Sequence, residues 1–150
     1  MSRQVCQAAQ SLIKSFEQLR LVAYLPTPND VLTIGYGHTG KDVTEGLVWT
    51  KERAEEVFQQ DIAERAEELY FALDYGIRDS LTDNQFGALV SFVYNEGISA
   101  FKSSTMLRLI NTRQYEAASE QFPRWIYQGD EKLGGLIRRR AAERALFDTP

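Results

Sequence analysis

Glu17, Asp30 and Thr33 are the residues whose types and spacing point to chemistry. Glu17 closes an apolar-periodic helical stretch. Asp30 ends the loop Pro26-Thr27-Pro28-Asn29-Asp30, and Thr33 lies in a β-branched run, Val31 to Tyr36, punctuated by Gly35 and Gly37. One acid on a helix, a second acid on a turn and a hydroxyl on a strand suit glycosidic bond cleavage. There one carboxylic acid protonates the leaving oxygen while a carboxylate across a groove activates water. The acid must keep its proton near neutral pH. A half-apolar, half-open helix edge, such as the position beside Phe16 and after Ile13, favours a protonated carboxyl. Each residue also has a plainer use: Glu17 as a surface helix glutamate, Asp30 as a turn residue, Thr33 as a strand former.

The elements that must hold these groups follow from periodicity. Val5, Ala8, Ala9, Leu12, Ile13, Phe16 and Leu19 recur at spacings of three and four, predicting a first helix over 3–20. Pro26 and Pro28 exclude helix from the following loop, and a small antiparallel sheet is expected to end near Val48. Thr50 is a candidate N-cap for a long helix from Lys51 to about Ala72, apolar on one face and acidic on the other. Gly76 breaks that pattern. Thr82 and Gln85 form a capping-box signature before the apolar run Phe86 to Val93, with Gly97 as its expected C-terminal cap. Ser104 or Thr105 caps a short helix to 111. Tyr115 to Phe122 is predicted as another, stopped by Pro123. Gly134 and Gly135 read as a loop, and Ile137 to Phe147 as the last helix.

With 150 residues and a net charge of −4, the chain suits one globular domain with a sizeable core and is a poor candidate for nucleic-acid binding. Acids outnumber bases between 51 and 80, and bases outnumber acids between 121 and 150. Cys6 is alone, which excludes an internal disulfide and, with the single His38, a zinc site. No metal or cofactor is expected. The spacing of Gly35 and Gly37 lacks the lysine or further glycines of a phosphate loop. The N-terminal stretch has no apolar signal core, so the protein is expected to stay in the cytoplasm of its maker until something releases it.

The chain resembles the bacteriophage lysozymes, the phage-type glycoside hydrolase family. Ser15-Phe16-Glu17, Leu21, Ala23-Tyr24 and Thr33-Ile34-Gly35-Tyr36-Gly37-His38-Thr39 carry the first part of the likeness. Asp83-Asn84-Gln85-Phe86, Asn95, Gly97, Phe101, Ser104-Thr105, Ala117-Ala118, Gly135-Leu136 and Glu143 with Leu146-Phe147 extend it over roughly 12–148. The resemblance implies an α+β, mostly helical, two-lobed fold. It has a small sheet in the N-terminal lobe (about 20–50), a connecting helix (about 51–73) and a helical lobe (about 77–148) on which helix 3–20 packs. It also implies an endolysin cutting the β-1,4 bond between N-acetylmuramic acid and N-acetylglucosamine in peptidoglycan. Glu17 would be the general acid, Thr33 would hold the attacking water, and Arg138 or Arg139 would contact Glu17. Asn95 matches the family's amide position for N-acetyl groups, and His38 ties strand to helix through a carboxylate. Tyr94 and Trp125 are candidates for the border of the cleft, with a place in the aromatic core as their plainer and preferred use. A holin would release a monomeric enzyme to the periplasm and cell wall.

One departure stands out. Pro26 and Thr27 fall where the family places its second acid, because the loop is one residue longer. Asp30 is the nearest carboxylate. Should no second carboxylate take part, the sugar's own 6-hydroxyl could attack, giving a lytic transglycosylase with 1,6-anhydro products. A wall-binding module without activity is a third reading, against which the presence of both Glu17 and Thr33 argues.

Overall fold

The computed structural model describes residues 3–129 and 131–150. Met1 and Ser2 of the polar N-terminal stretch, and Asp130, lie outside them. The chain is mostly helical with a small antiparallel sheet, as expected.

Helix α1 spans Gln7–Glu17 and buries Ala9 and Ile13. It is shorter than the predicted 3–20 at both ends. Gln18 takes φ 55°, a left-handed conformation that stops the helix one residue after the acid. Leu19, the last residue of the apolar period, lies beyond the helix, and strand β1 (Arg20–Tyr24) follows it directly. β1 pairs antiparallel with β2 (Thr33–Gly35), in the register Arg20 to Gly35 and Tyr24 to Thr33. The β-branched run Val31 to Tyr36 therefore yields a strand of only three residues, all buried. After it the chain folds back at once, with Ile34 and His38 exchanging backbone hydrogen bonds at 2.9 and 2.8 Å. Val48 bridges to Val22 and closes the lobe where the sequence places its end.

Helix α2 (Lys51–Ala72) starts where predicted, with the Thr50 hydroxyl accepting from Arg53 N. Its buried stripe is Ala54, Val57, Phe58, Ile62, Ala66 and Leu69. Helix α3 (Asp83–Glu96) carries both hydrogen bonds of the capping box between Thr82 and Gln85. Every residue from Phe86 to Val93 is buried, as befits a helix that is apolar all round and central to the core. Gly87 lets α1 cross it closely: a Cβ there would lie 2.7 Å from Ala9 Cβ.

Gly97 ends α3 at φ 91°, and a short helix, α4 (Ile98–Lys102), follows at once. Ser104 caps α5 (Thr105–Asn111) by accepting from Leu107 N at 3.1 Å. Helix α6 is only Tyr115–Ser119. Pro123 does not stop it but sits inside a separate 3-10 turn, Phe122–Arg124, where its fixed φ is tolerated. A two-residue-per-strand hairpin, β3 (Tyr127–Gln128) and β4 (Glu131–Lys132), was not anticipated. Helix α7 runs Gly134–Asp148, so the two glycines read as a loop form its first turn. Phe92 meets the rings of Phe101, Phe122 and Trp125 edge-on at 6.2, 6.0 and 5.2 Å, in the geometry aromatic pairs prefer. Helices α1 and α7 both pack on α3, which brings the end of α1 against the inner face of α7. Among the described residues no helix is long and apolar enough to cross a membrane.

Candidate active site

Glu17 is the last residue of α1, and its side chain is 19% exposed. One carboxylate oxygen, Oε2, accepts from Arg139 Nη1 at 2.6 Å. The other rests on the backbone of Gly37: a Cβ there would lie 2.5 Å from Oε1. Gly37 also has φ 80°, so both its backbone and its surroundings exclude a side chain. The carboxylate is thus pinned between a guanidinium on α7 and the turn that follows β2.

Of the two arginines the sequence left open, Arg139 is the one that meets Glu17, while Arg138 is exposed. Arg139 is itself buried. Its Nε donates to Glu143 Oε2 at 3.3 Å and its Nη2 to Ser91 O at 3.2 Å. Glu143 is fully enclosed and accepts from Ser91 Oγ at 2.6 Å and Arg140 Nη2 at 3.2 Å. Arg140 Nε also lies 2.7 Å from Glu143 Oε1, a charge contact whose angle is too poor for a hydrogen bond. Burial pushes the Glu143 carboxyl up from its ordinary value, against the pull of the two guanidiniums. Sequence reasoning missed Ser91 and Arg140 as site residues and read Glu143 only as part of the family likeness. The available signal was Glu143 lying four residues after Arg139 and three after Arg140, within reach of both along the helix.

Thr33 is buried on β2, and its hydroxyl donates to Val31 O at 3.0 Å. With its proton committed there, the hydroxyl offers only lone pairs to a further partner. Asp30 is exposed in the loop before it. Its Oδ1 accepts from Val31 N at 2.8 Å and its own N–H donates to Thr27 O at 3.1 Å, which leaves Oδ2 uncommitted. Tyr94 packs against Phe58 and donates its hydroxyl to Tyr36 O at 2.5 Å. Burial, and after it the charges of Glu17 and Asp61, push the phenol well above its usual value, so it stays a donor. Asn95 is exposed, with Oδ1 accepting from Arg140 Nη2 at 2.7 Å. Trp125 is half-buried in the aromatic cluster around Phe92.

Beside Gly37 opens a polar cavity of about 280 Å3, lined by His38, Asp61, Glu64, Arg65 and Tyr94 among others. His38 holds its wall. Nδ1 lies 2.7 Å from Asp61 Oδ2 on α2, and Nε2 lies 3.0 Å from Asp42 Oδ2. Burial alone would lower the pKa of His38; Asp61 and then Asp42 outweigh it and raise the value above 6.5. His38 thus ties the turn after β2 to α2, the structural part expected of it. Among the described residues no group of three His, Cys, Asp or Glu side chains converges as metal ligands do.

A mostly helical two-lobed fold, with a carboxylic acid at the end of its first helix facing a small β-hairpin lobe, defines a lysozyme-like protein. The chain belongs to the phage lysozyme family, which it matches over residues 14–143. It is 44% identical over 147 residues to the endolysin of Bacillus phage PZA, a match covering 97% of this chain and 55% of that one. It is 40% identical to the endolysin of Acyrthosiphon pisum secondary endosymbiont phage 1, covering 92% of this chain and 93% of that one. The chain spans about half the length of the Bacillus phage endolysins it matches. Among solved structures it is similar to the muramidase domain of SpmX from Asticaccaulis excentricus. That match has a TM-score of 0.87 at 38% identity and covers 99% of both chains. A P22 lysozyme mutant superposes with a TM-score of 0.81 at 34% identity, covering 98% of this chain and 99% of that one.

Proposed function

We propose that the protein is an endolysin that hydrolyses the β-1,4 bond between N-acetylmuramic acid and N-acetylglucosamine in bacterial peptidoglycan. The observation that carries this reading is the pinned carboxylate of Glu17, held by Arg139 on one side and the Gly37 turn on the other. In its protonated form Glu17 gives its proton to the glycosidic oxygen as the bond to the anomeric carbon breaks. Water then adds to that carbon. The Thr33 hydroxyl, its own proton spent on Val31 O, accepts a hydrogen bond from the water and so orients its lone pair. The uncommitted oxygen of Asp30 takes the water's proton, and attack from the opposite face inverts the anomeric centre. The names endolysin and muramidase among the relatives support the same chemistry.

Asp30 also supports a second reading. It is exposed, and one of its oxygens is spent on its neighbour's N–H, as in an ordinary turn. Without a carboxylate to activate water, the muramic acid 6-hydroxyl would attack instead, and the product would be a 1,6-anhydro sugar. Muropeptide mass analysis separates the two, since the anhydro product is lighter by one water. Hydrolysed products from the parent, and none from Glu17→Gln at unchanged fold, are expected. Turnover in Glu17→Gln would refute the assignment.

Peptidoglycan is the partner this reading requires. A single-domain monomer would wait in the cytoplasm of the infected host and reach the periplasm and wall when a holin opens the membrane. Lysis of a host expressing the protein with no holin would contradict that route.

A further inference from the structure

Tyr94 takes no part in the reaction proposed above, yet its hydroxyl reaches the turn on which the acid rests. It donates to Tyr36 O at 2.5 Å, and Tyr36 immediately precedes Gly37. The rings of Tyr36 and Tyr94 both pack on Phe58 of α2, with centroids 5.1 and 6.1 Å away. Lys14 of α1 sets its ammonium over the Tyr36 ring, 5.3 Å from the centroid. Ring packing fixes where the phenol lies, and the Tyr36 carbonyl fixes where its O–H points.

The two oxygens of Glu17 are not equivalent. Arginine carries donors and no acceptor, so Oε2, facing Arg139 Nη1, has to present a lone pair. When Glu17 is protonated, the proton is therefore on Oε1, the oxygen that lies against Gly37. Both oxygens are governed from α3. Ser91 O and Oγ accept from Arg139 Nη2 and so aim the guanidinium at Oε2. Tyr94, three residues further on the same side of the helix, holds the turn at Oε1.

We propose that Tyr94 is a positioning residue for proton transfer. Through Tyr36 O, its hydroxyl sets the Gly37 turn against Oε1 and so fixes the direction in which the proton leaves Glu17, a role that rests on the glycosidase reading. A misdirected acid is felt when the glycosidic bond breaks, not when the strand binds.

Kinetics on soluble, uncross-linked peptidoglycan strands test this, with rates taken per folded molecule below the melting temperature. Tyr94→Phe removes the hydroxyl alone and leaves the ring on Phe58. Its kcat should fall about five- to tenfold, the scale of one hydrogen bond, with KM unchanged. Tyr94 also lines the polar cavity beside Gly37, so a raised KM at constant kcat would reveal a sugar contact instead and overturn the proposal. Unchanged kcat would overturn it too. A second substrate isolates the proton: a strand whose terminal muramic acid carries dinitrophenolate on its anomeric carbon. Dinitrophenolate departs with the bonding electron pair and needs no proton. On that substrate Tyr94→Phe should work at close to the parent rate, and Glu17→Gln should regain turnover. Equal losses of Tyr94→Phe on both substrates would mean general damage to the cleft and would overturn the role. In Gly37→Ala, whose turn is already displaced, adding Tyr94→Phe should cost little more, as for residues acting as a unit. Full multiplication of the two losses would show that Tyr94 does not act through the turn. Cutting of ordinary strands by Glu17→Gln would sink the acid assignment itself, and that result is read with Tyr94 intact.

Discussion

Arg139 Nη1 lies 2.6 Å from Glu17 Oε2, joining residues 122 positions apart in the chain. Arg139 also serves the buried Glu143, so its loss strands two carboxylates at once. Arg139→Ala is expected to destabilise the protein by about 3–5 kcal/mol, the scale of a buried ion pair broken from one side. Arg139→Lys should recover only part of this, since a single ammonium cannot span Glu17, Glu143 and Ser91 O together. Denaturant titration of the two variants checks the order.

Gly37 and Gly46 share a left-handed φ, 80° and 83°, but only Gly37 has Glu17 against it. An alanine at either position should cost about 1–2 kcal/mol of backbone strain. Gly37→Ala must also displace the acid, so activity per folded molecule should fall at least about tenfold, a barrier change of roughly 1.4 kcal/mol. Gly46→Ala should melt earlier yet cut wall at the parent rate. Equal specific activities in the two variants would mean that the Gly37 contact has no bearing on catalysis.

His38 is the only histidine, so its NMR titration is unambiguous. Its pKa is raised above 6.5 in the folded protein, chiefly by Asp61 and Asp42 acting against burial. A raised histidine value contributes stability that is fully present below the unfolded-state pKa and is lost as pH rises through the folded value. The parent should therefore lose more stability than His38→Asn between about pH 6 and pH 8. Asp61→Asn should move the titration back down. A folded-state midpoint below 6.5 would contradict the charge-paired arrangement.

Thr33 separates hydroxyl chemistry from strand packing. Thr33→Ser keeps the hydroxyl and should retain most activity. Thr33→Val keeps the shape of the buried β2 position but loses the bond to Val31 O, and should cost about 1–3 kcal/mol of stability and most turnover. Asp30→Asn is informative beside it. Loss of hydrolysis assigns the base, whereas full activity with anhydro products assigns the transglycosylase. Circular dichroism melts and product masses on the same samples give both answers.

Much of this arrangement is legible in the chain. Thr50, Thr82 with Gln85, and Ser104 mark helix starts because their oxygens have local N–H partners, and local partners are what short patterns encode. Arg20 to Tyr24 was less legible. Leu19 prolongs the α1 period up to its edge, so only the left-handed Gln18 and the distant partners Thr33 and Leu47 show where the helix stops and the strand begins. The hairpin of β3 and β4 is too short to alternate visibly. Within the site, Glu17 and Thr33 stood out by their neighbours. Glu143 and Ser91 did not, since their meaning depends on α3 and α7 being packed face to face. The choice between Arg138 and Arg139 likewise depends on the rotation of α7 about its axis.

The close crossing of α1 over α3 at Gly87 has a mechanical consequence. It fastens the segment that ends in Glu17 to α3 and α7, so the proton donor shares the reference frame of the helical lobe. The Gly37 turn is fastened to the same frame, through Tyr94 of α3 to Tyr36 O and through His38 to Asp61 of α2. A ligand arriving beside the acid therefore meets a wall that is already set.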